Sequence, residues 1–242
     1  MKVYAQTDCG RVRPINEDSY YLPQLGEHFC AVADGMGGHN AGEVASAMAC
    51  MEFSDALRGA DCVDGEMLRD AVERANEVVY ARSEQDTHLS GMGTTFTALA
   101  QSEDSVWIAH VGDSRAYLIR DGEITRLTVD HTLVAEMVQK GIITEREAKY
   151  HPKRNYITRA LGTQAQVEVD LTRIEPHAGD VFFLCTDGLS NHADADTILE
   201  TTLREDLTWQ QKLQSLIRHA LDDGSADNVT AMYARFEEGG DQ

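Results

Sequence analysis

The chain has 242 residues, and its 41 Asp and Glu against 21 Lys and Arg give a formal net charge of −20. A surface of that sign repels nucleic-acid backbones and anionic lipid at long range, which argues against both as partners. No apolar run approaches the roughly 18 residues of a membrane span, and the opening MKVYAQTDCG holds no hydrophobic signal region, so a soluble cytoplasmic protein is expected.

In chain order, the first strand signal is the apolar run from His28 to Ala33. A helix is expected from about Gly42 to Leu57, ahead of Gly59, and a second carries Leu68, Ala71, Val72, Ala75 and Val79 on one face. Strand runs follow at Thr94 to Ala100, Val106 to Val111, Ala116 to Arg120 and Glu123 to Leu127. Asp121-Gly122, between the last two, is the sequence of a two-residue type I′ hairpin turn and makes them antiparallel neighbours. Thr144 and Glu147 stand in capping-box register and open a short helix. After the strand run Val181 to Cys185, Thr208 and Gln211 repeat that register ahead of Leu213, Leu216, Ile217, Ala220 and Leu221, with Gly224 following. Val229 to Phe236 is the last strand run.

Hairpin strands with helices grouped between them argue an α+β fold, helices outside two packed antiparallel sheets. No repeat, low-complexity tract or linker divides the chain, so one domain over 1–236 with a loose tail at 237–242 is expected. The cysteines Cys9, Cys30, Cys50, Cys62 and Cys185 are odd in number and lack CxxC spacing, as free thiols in a reducing compartment would be. Cys30 and Cys185 lie in apolar runs and read as small buried hydrophobes.

Five acidic clusters share a pattern, an aspartate at or beside a strand end next to glycine or a small polar residue. They are Asn16-Glu17-Asp18, Asp34-Gly35-Met36-Gly37-Gly38-His39, Gly112-Asp113-Ser114-Arg115, Thr186-Asp187-Gly188 and Ala226-Asp227-Asn228. Any one of them alone is ordinarily a turn. Together, carboxylates delivered from several strand ends can converge on one edge of a sheet sandwich, where they repel one another unless cations neutralise them. Oxygen donors without a Cys or His cluster favour Mg²⁺ or Mn²⁺ over zinc. Without a Cβ, Gly35 is free to turn its carbonyl oxygen toward such a metal.

The ordered set Arg13-x-x-Asn16-Glu17-Asp18, Asp34-Gly35-Met36-Gly37-Gly38-His39, Gly93-Thr94-Thr95, Gly112-Asp113-Ser114-Arg115, Thr186-Asp187-Gly188 and Asp227-Asn228 resembles the metal-dependent Ser/Thr protein phosphatases of type 2C. The likeness is to their bacterial, catalytic-domain-only branch, from about residue 5 to residue 235. It implies a four-layer α-β-β-α sandwich, with a metal cleft at one end of two central, mostly antiparallel sheets. It implies two to three Mn²⁺ or Mg²⁺ per chain: Asp34 bridging two, the Gly35 carbonyl on the second, Asp187 and Asp227 on the first. Asp18 and Glu17 would bind or orient metal-held water, Asp113 with Asp187 would hold a third, weaker cation, and Asn228 is a further candidate beside Asp227. The implied reaction is hydrolysis of phosphoserine and phosphothreonine on phosphorylated proteins, opposite a eukaryotic-like Ser/Thr kinase. Two cations about 3.5 to 4 Å apart can share a water, lower its pKa and hold it in line with phosphorus. Arg13, a planar fork of donors, would clamp the phosphate oxygens. Cations between the acid groups and the substrate would also explain how so acidic a chain handles a phosphate dianion.

The pattern departs from the family at Met36, where many eukaryotic relatives carry a histidine that protonates the leaving oxygen. His39 is the candidate substitute; the alternatives are a metal-held water as donor, or a His39 that only helps position Asp34. The segment 131–162 resembles the family's flap and concentrates Lys140, Lys149, Lys153, Arg154 and Arg159. It is expected to read substrate around the phosphorylated residue, unless Arg159 pairs internally with an aspartate. Thr94 and Thr95 are expected to support the metal carboxylates; His131 and His192 have no assigned role. A metal-poor scaffold would have lost one of the aspartates, and all are present. A phosphatase of small molecules remains the other alternative, and a monomer is the default.

Overall fold

Strand runs that are apolar at every position need cover on both faces. The computed structural model, which describes residues 1–37 and 41–236, supplies it with four layers. One sheet has the order β1 (Lys2–Asp8), β11 (Val229–Arg235), β10 (Val181–Cys185), β7 (Arg115–Arg120), β8 (Glu123–Arg126). The other runs β2 (Asp18–Tyr21), β3 (Phe29–Met36), β5 (Phe96–Gln101), β6 (Val106–Val111), β9 (Asp170–Ile174), with the short β4 (Gly93–Thr94) paired to β3. Every strand pair is antiparallel. Helices α1 (Ala41–Leu57) and α2 (Gly65–Gln85) cover the β3 sheet; α6 (Ala195–Leu203) and α7 (Trp209–Asp222) cover the β10 sheet. Between them, α3 (Leu133–Gln139) and α4 (Glu145–Lys149) build the 131–162 segment, and α5 (Asp187–Ser190) is a single turn after β10.

Alternation along each strand distributes side chains between the layers. On β3, Cys30 and Val32 enter the core between the sheets while Phe29, Ala31 and Ala33 face α1 and α2. On β10, Phe182 and Leu184 meet Cys30, Val32, Leu99 and Ile108 across the sandwich, while Val181, Phe183 and Cys185 pack toward Leu213, Leu216 and Ile217 of α7. Cys30 and Cys185 are fully buried, and burial pushes both thiols up to about 12, so they serve as small hydrophobes.

The local signals hold where they were strongest. Asp121 and Gly122 both have positive φ, +53° and +79°, and join β7 to β8 as a type I′ turn. Both capping boxes form, Thr144 with Glu147 and Thr208 with Gln211. The expected strand from Thr94 to Ala100 is two strands, because Thr95 leaves the ladder to bond Asp34: its N–H donates to the Asp34 carbonyl (2.9 Å) and its Oγ1 accepts from the Asp34 N–H (3.0 Å). Strands β1, β2 and β9 and helices α3, α5 and α6 lie outside the expected runs; each is short or only partly buried along its length. The expected tail 237–242 lies outside the described residues.

The missing Cβ of Gly35 also serves packing. A Cβ there would meet the Gly42 carbonyl oxygen at 2.1 Å, and one on Gly42 would meet Glu17 Oε1 at 2.5 Å. The glycine pair lets the first turn of α1 press against the strand that carries Asp34.

Phe53, on α1, is fully buried and stands edge-on to Phe29 (5.6 Å) and Phe96 (5.1 Å). Phe53→Ala should cost about 4 kcal/mol, while Leu203→Ala, at a half-exposed position, should stay within about 0.5 kcal/mol. Urea denaturation of both variants checks the contrast.

Candidate metal centre

Asp18 and Asp34 sit opposite one another in register on β2 and β3, an arrangement that sets two like charges side by side. Asp18 is buried, and its Oδ2 accepts from two hydroxyls of the other sheet, Thr186 Oγ1 (2.9 Å) and Thr230 Oγ1 (2.7 Å). Its Oδ1 is buried without a hydrogen-bond partner. Asp18 thereby bridges the two sheets, and burial pushes its carboxyl up to about 7, the threonine hydroxyls opposing and Asp187 and Asp227 adding to the rise.

Asp34 is held by its backbone. Besides the two bonds to Thr95, the Thr94 hydroxyl donates to the Asp34 carbonyl (2.9 Å). The threonines of Gly93-Thr94-Thr95 therefore anchor the strand at Asp34 and do not touch its carboxylate, a correction to the expectation. The Asp34 carboxyl lies within hydrogen-bonding reach of Asp187. It is held well above the usual carboxylate range by burial first, then by Asp18, Asp187, Asp113 and Asp227.

Asp187 opens α5, where its Oδ2 accepts from Asn191 Nδ2 (3.1 Å), and burial followed by Asp227 raises its pKa. Gly188 brings that turn onto the start of β11: a Cβ there would lie 1.9 Å from the Asn228 carbonyl oxygen. Asp113 occupies the β6–β7 turn and is buried, its Oδ1 without a partner, its carboxyl pushed up to about 8 by burial and then by Asp187.

The loop 9–17 closes one side. Arg13 donates from Nη2 to Asp227 Oδ2 (2.9 Å), and its Nη1 is 3.6 Å from Glu17 Oε2. Asn228 ties this loop down: its Oδ1 accepts from the Glu17 N–H (2.8 Å) and its Nδ2 donates to the carbonyls of Cys9 (2.8 Å) and Ile15 (3.0 Å). With its amide so engaged, Asn228 acts as a clasp. Glu17 is half-buried and burial raises its pKa. His39 lies outside the described residues. His192 is bonded to Asp223 (2.8 Å), and Arg159 pairs with Asp170 (2.6 Å) and Glu168 (3.2 Å), the internal pairing that the aspartate alternative foresaw.

The five aspartates come from both sheets, and the charges of the other four all bear on Asp34. Their chemistry fits a hard divalent cation: all donors are oxygen, two buried carboxylate oxygens have no protein partner, and the raised pKa values arise from burial and mutual repulsion, which bound cations relieve. Among the described residues no three His, Cys, Asp or Glu side chains close into a finished cage. Mg²⁺ and Mn²⁺ sites of one or two carboxylates completed by water do not require one. The residues that sequence reasoning missed are Thr230 and Thr7, hydrogen-bonded to each other (2.7 Å), with Asn16 Nδ2 donating to Thr7 Oγ1 (2.8 Å). Isolated threonines in strands carry no pattern that marks them.

Residues 8–232 match the family described as protein phosphatase 2C. The chain is 39% identical over 237 residues to the serine/threonine phosphatase stp of Listeria monocytogenes, covering 94% of this chain and 92% of that one. It is 43% identical over 237 residues to the serine/threonine protein phosphatase PstP of Mycobacterium tuberculosis, and this match spans 97% of the chain but 45% of the relative's length. The crystal structure of the catalytic domain of PstP with two manganese ions superposes with a TM-score of 0.86 at 39% identity, covering 98% of each chain.

If the carboxylates hold cations, Mn²⁺ at a hundredfold excess over Kd should stabilise the chain by about 2.7 kcal/mol and raise its unfolding temperature, and EDTA should reverse the rise. Asp34→Asn should melt a few degrees above wild type in EDTA, since a buried like charge is gone, and should lose the Mn²⁺-dependent rise. Scanning calorimetry of both proteins measures this, and equal stabilisation of the two by Mn²⁺ would exclude Asp34 as a ligand.

Proposed function

The chain belongs to the protein phosphatase 2C family, and from that membership we propose that it is a metal-dependent protein serine/threonine phosphatase acting on phosphorylated proteins. The observation that carries the proposal is the convergence of Asp18, Asp34, Asp113, Asp187 and Asp227 from both sheets beside Arg13, two of their buried oxygens lacking any protein partner. Asp34, Asp187, Asp227 and the Gly35 carbonyl would hold two Mn²⁺ or Mg²⁺, with Asp18 beside them, and Asp113 with Asp187 a third. Bound there, the cations supply activation of water and neutralisation of charge at phosphorus.

The chain's own residues do the positioning. Arg13 engages Asp227 and Glu17 through two of its nitrogens, and a guanidinium has five N–H donors, so donors remain for the phosphate oxygens. The pairing with Asp227 keeps that fork at the edge of the cluster. Glu17 is fixed in turn by Asn228, so substrate-facing and metal-facing residues share one clasped loop. His39 is the candidate proton donor to the leaving oxygen. In the flap, Lys140 pairs with Glu136 and Arg159 is turned inward, while Lys149, Lys153 and Arg154 are exposed and available to an acidic phosphopeptide. The substrates are products of phosphoryl transfer to serine and threonine, so a Ser/Thr kinase stands opposite this enzyme. Every proposed ligand comes from one chain, and a monomer suffices. No helix among the described residues is long and apolar enough to cross a membrane. The five free thiols fit a reducing, cytoplasmic compartment.

Purified chain with Mn²⁺ should release phosphate from a phosphothreonine peptide faster than from a nucleotide, and EDTA, Asp34→Asn or Asp187→Asn should each abolish release. Faster release from the nucleotide would favour a phosphatase of small molecules. Folded protein that binds Mn²⁺ without any release would favour a scaffold. Arg13→Ala should raise KM for the peptide by about tenfold to a hundredfold, the worth of one charge-assisted hydrogen bond. Replacing Lys153 and Arg154 by alanine should raise KM for a phosphoprotein and leave that for p-nitrophenyl phosphate unchanged; an equal effect on both would remove the flap from substrate recognition.

A further inference from the structure

A second polar cluster lies at the base of the 131–162 flap, along a cavity of about 410 Å³ lined by Asp130, His131, Glu136, Arg159, Glu168 and Asp170 among others. His131 is the most buried polar residue there, 7% exposed, and is bonded in two directions. Toward the carboxylate centre, its backbone N–H donates to the Gly112 carbonyl (2.7 Å) and its Nδ1 accepts from the Gly112 N–H (3.0 Å). Both polar groups of Gly112 are thus held by one residue.

Gly112 is the point where the β6–β7 turn is shaped. Its φ of +112° suits glycine, and a Cβ there would strike the Thr95 side chain at 2.6 Å. Asp113 follows directly, and Ser114 is hydrogen-bonded to Thr95 (2.8 Å) on the far side. Asp113 is therefore carried on a turn clamped by Thr95 at one end and by His131 at the other.

Toward the flap, His131 has three further links, to Asp170 and to Arg159 Nη1 (3.1 Å) at its Nε2 and to Thr158 at its carbonyl. Because Nδ1 accepts, Nε2 carries the ring hydrogen and donates it to Asp170 Oδ2 (3.1 Å). Asp170 Oδ1 accepts from Arg159 (2.6 Å), and the His131 carbonyl accepts from the Thr158 N–H (2.9 Å). His110 packs on the ring at 4.9 Å, itself bonded to Thr97 (2.9 Å) and to the Val129 carbonyl (3.1 Å), which fixes the plane of the imidazole.

We propose that His131 is a positioning residue: through Gly112 it sets the aim of Asp113 into the cation cluster, and through Thr158, Arg159 and Asp170 it ties that aim to the flap. The inference rests on the reading of Asp113 as a ligand of the weakest cation. A shift of the flap base changes the Gly112 clasp directly, so occupation of that cation site and the set of the flap are linked through one side chain.

Calorimetric titration of Mn²⁺ into the metal-free full chain tests it with two near-isosteric variants. In His131→Asn the amide oxygen can stand where Nδ1 stands and keep the bond to Gly112. In His131→Gln the amide nitrogen can stand where Nε2 stands, keeping Asp170 and losing Gly112. Asp113→Asn should weaken the weakest Mn²⁺ step and spare the tighter ones. His131→Gln should weaken that same step by about tenfold, as loss of a ligand-orienting partner does, His131→Asn should stay close to wild type, and in the Asp113→Asn background His131→Gln should add nothing. Equal affinities for wild type and His131→Gln, equal losses in the Gln and Asn variants, or a loss that persists in the Asp113→Asn background would overturn the proposal. If Asp113→Asn leaves the weakest step unchanged, the ligand reading of Asp113 falls and this proposal with it, while the tighter steps, tested by Asp34→Asn, still decide the rest of the centre. Should His131→Gln fail to fold, by circular dichroism, Asp170→Asn takes its place: it unsettles the ring from the flap side, the weakest step should weaken, and an unchanged step would overturn the link.

Discussion

The Asp18 carboxylate, accepting two threonine hydroxyls on one oxygen and nothing from the protein on the other, is the interaction on which the active end of this fold depends. Its acceptor bonds cross from one sheet to the other, so they hold only while the sheets keep their separation. Its bare oxygen, beside Asp34 on the next strand, creates a demand for positive charge that no hydrogen bond from the described residues meets. A sheet ordinarily avoids directly opposed carboxylates. Here the opposition would be useful, because a divalent cation would answer both the repulsion and the missing partner.

The layer order and most strands were legible because they rest on local rules: alternation between two cores, the Asp121-Gly122 turn, and two capping boxes. The aspartates stood out because they recur at strand ends beside glycine or a small polar residue, in a fixed order. What escaped was what those glycines do and what steadies the aspartates. Gly35 and Gly42 make one contact in space but belong to a strand and a helix, and no spacing rule relates them.

 

The close approach appears once the chain has folded and puts the first turn of α1 against β3. Thr230, Thr7 and Asn228 escaped for the same reason: each acts on a residue more than two hundred positions away or on the far side of the sandwich, as in the Asn228 bond to Glu17. Thr95 was singled out for the right strand and the wrong atom, since it bonds the backbone of Asp34 and not its carboxylate.

The charge balance reads differently once these positions are known. Much of the flap's expected basic character is internal: Arg159 is committed to Asp170 and Glu168, and Lys140 to Glu136. Arg115, a member of the Gly112-Asp113-Ser114-Arg115 motif, is likewise bonded to Asp130 (2.8 Å), which Arg126 also contacts. These pairs join β7, β8 and the start of the flap into one support beneath Asp113. Arg13, by contrast, borders the aspartate cluster itself, through Asp227 and Glu17.

Carboxylates crowded at one end of a sandwich weaken the fold there, and that cost is offset elsewhere, in cores that the site does not share. The inter-sheet core has a second consequence. Asp18, Asp34 and Asp113 belong to the β3 sheet or its turn, whereas Asp187 and Asp227 follow β10 and precede β11 of the other sheet. Their relative positions are therefore set by how Phe182, Leu184 and Met232 seat against Cys30, Val32, Leu99 and Ile108. Close-packed interiors respond to the loss of even one methylene. A substitution that lets the sheets slide would thus move the two halves of the carboxylate cluster apart without touching any proposed ligand, and cation affinity becomes a readout of packing between the sheets.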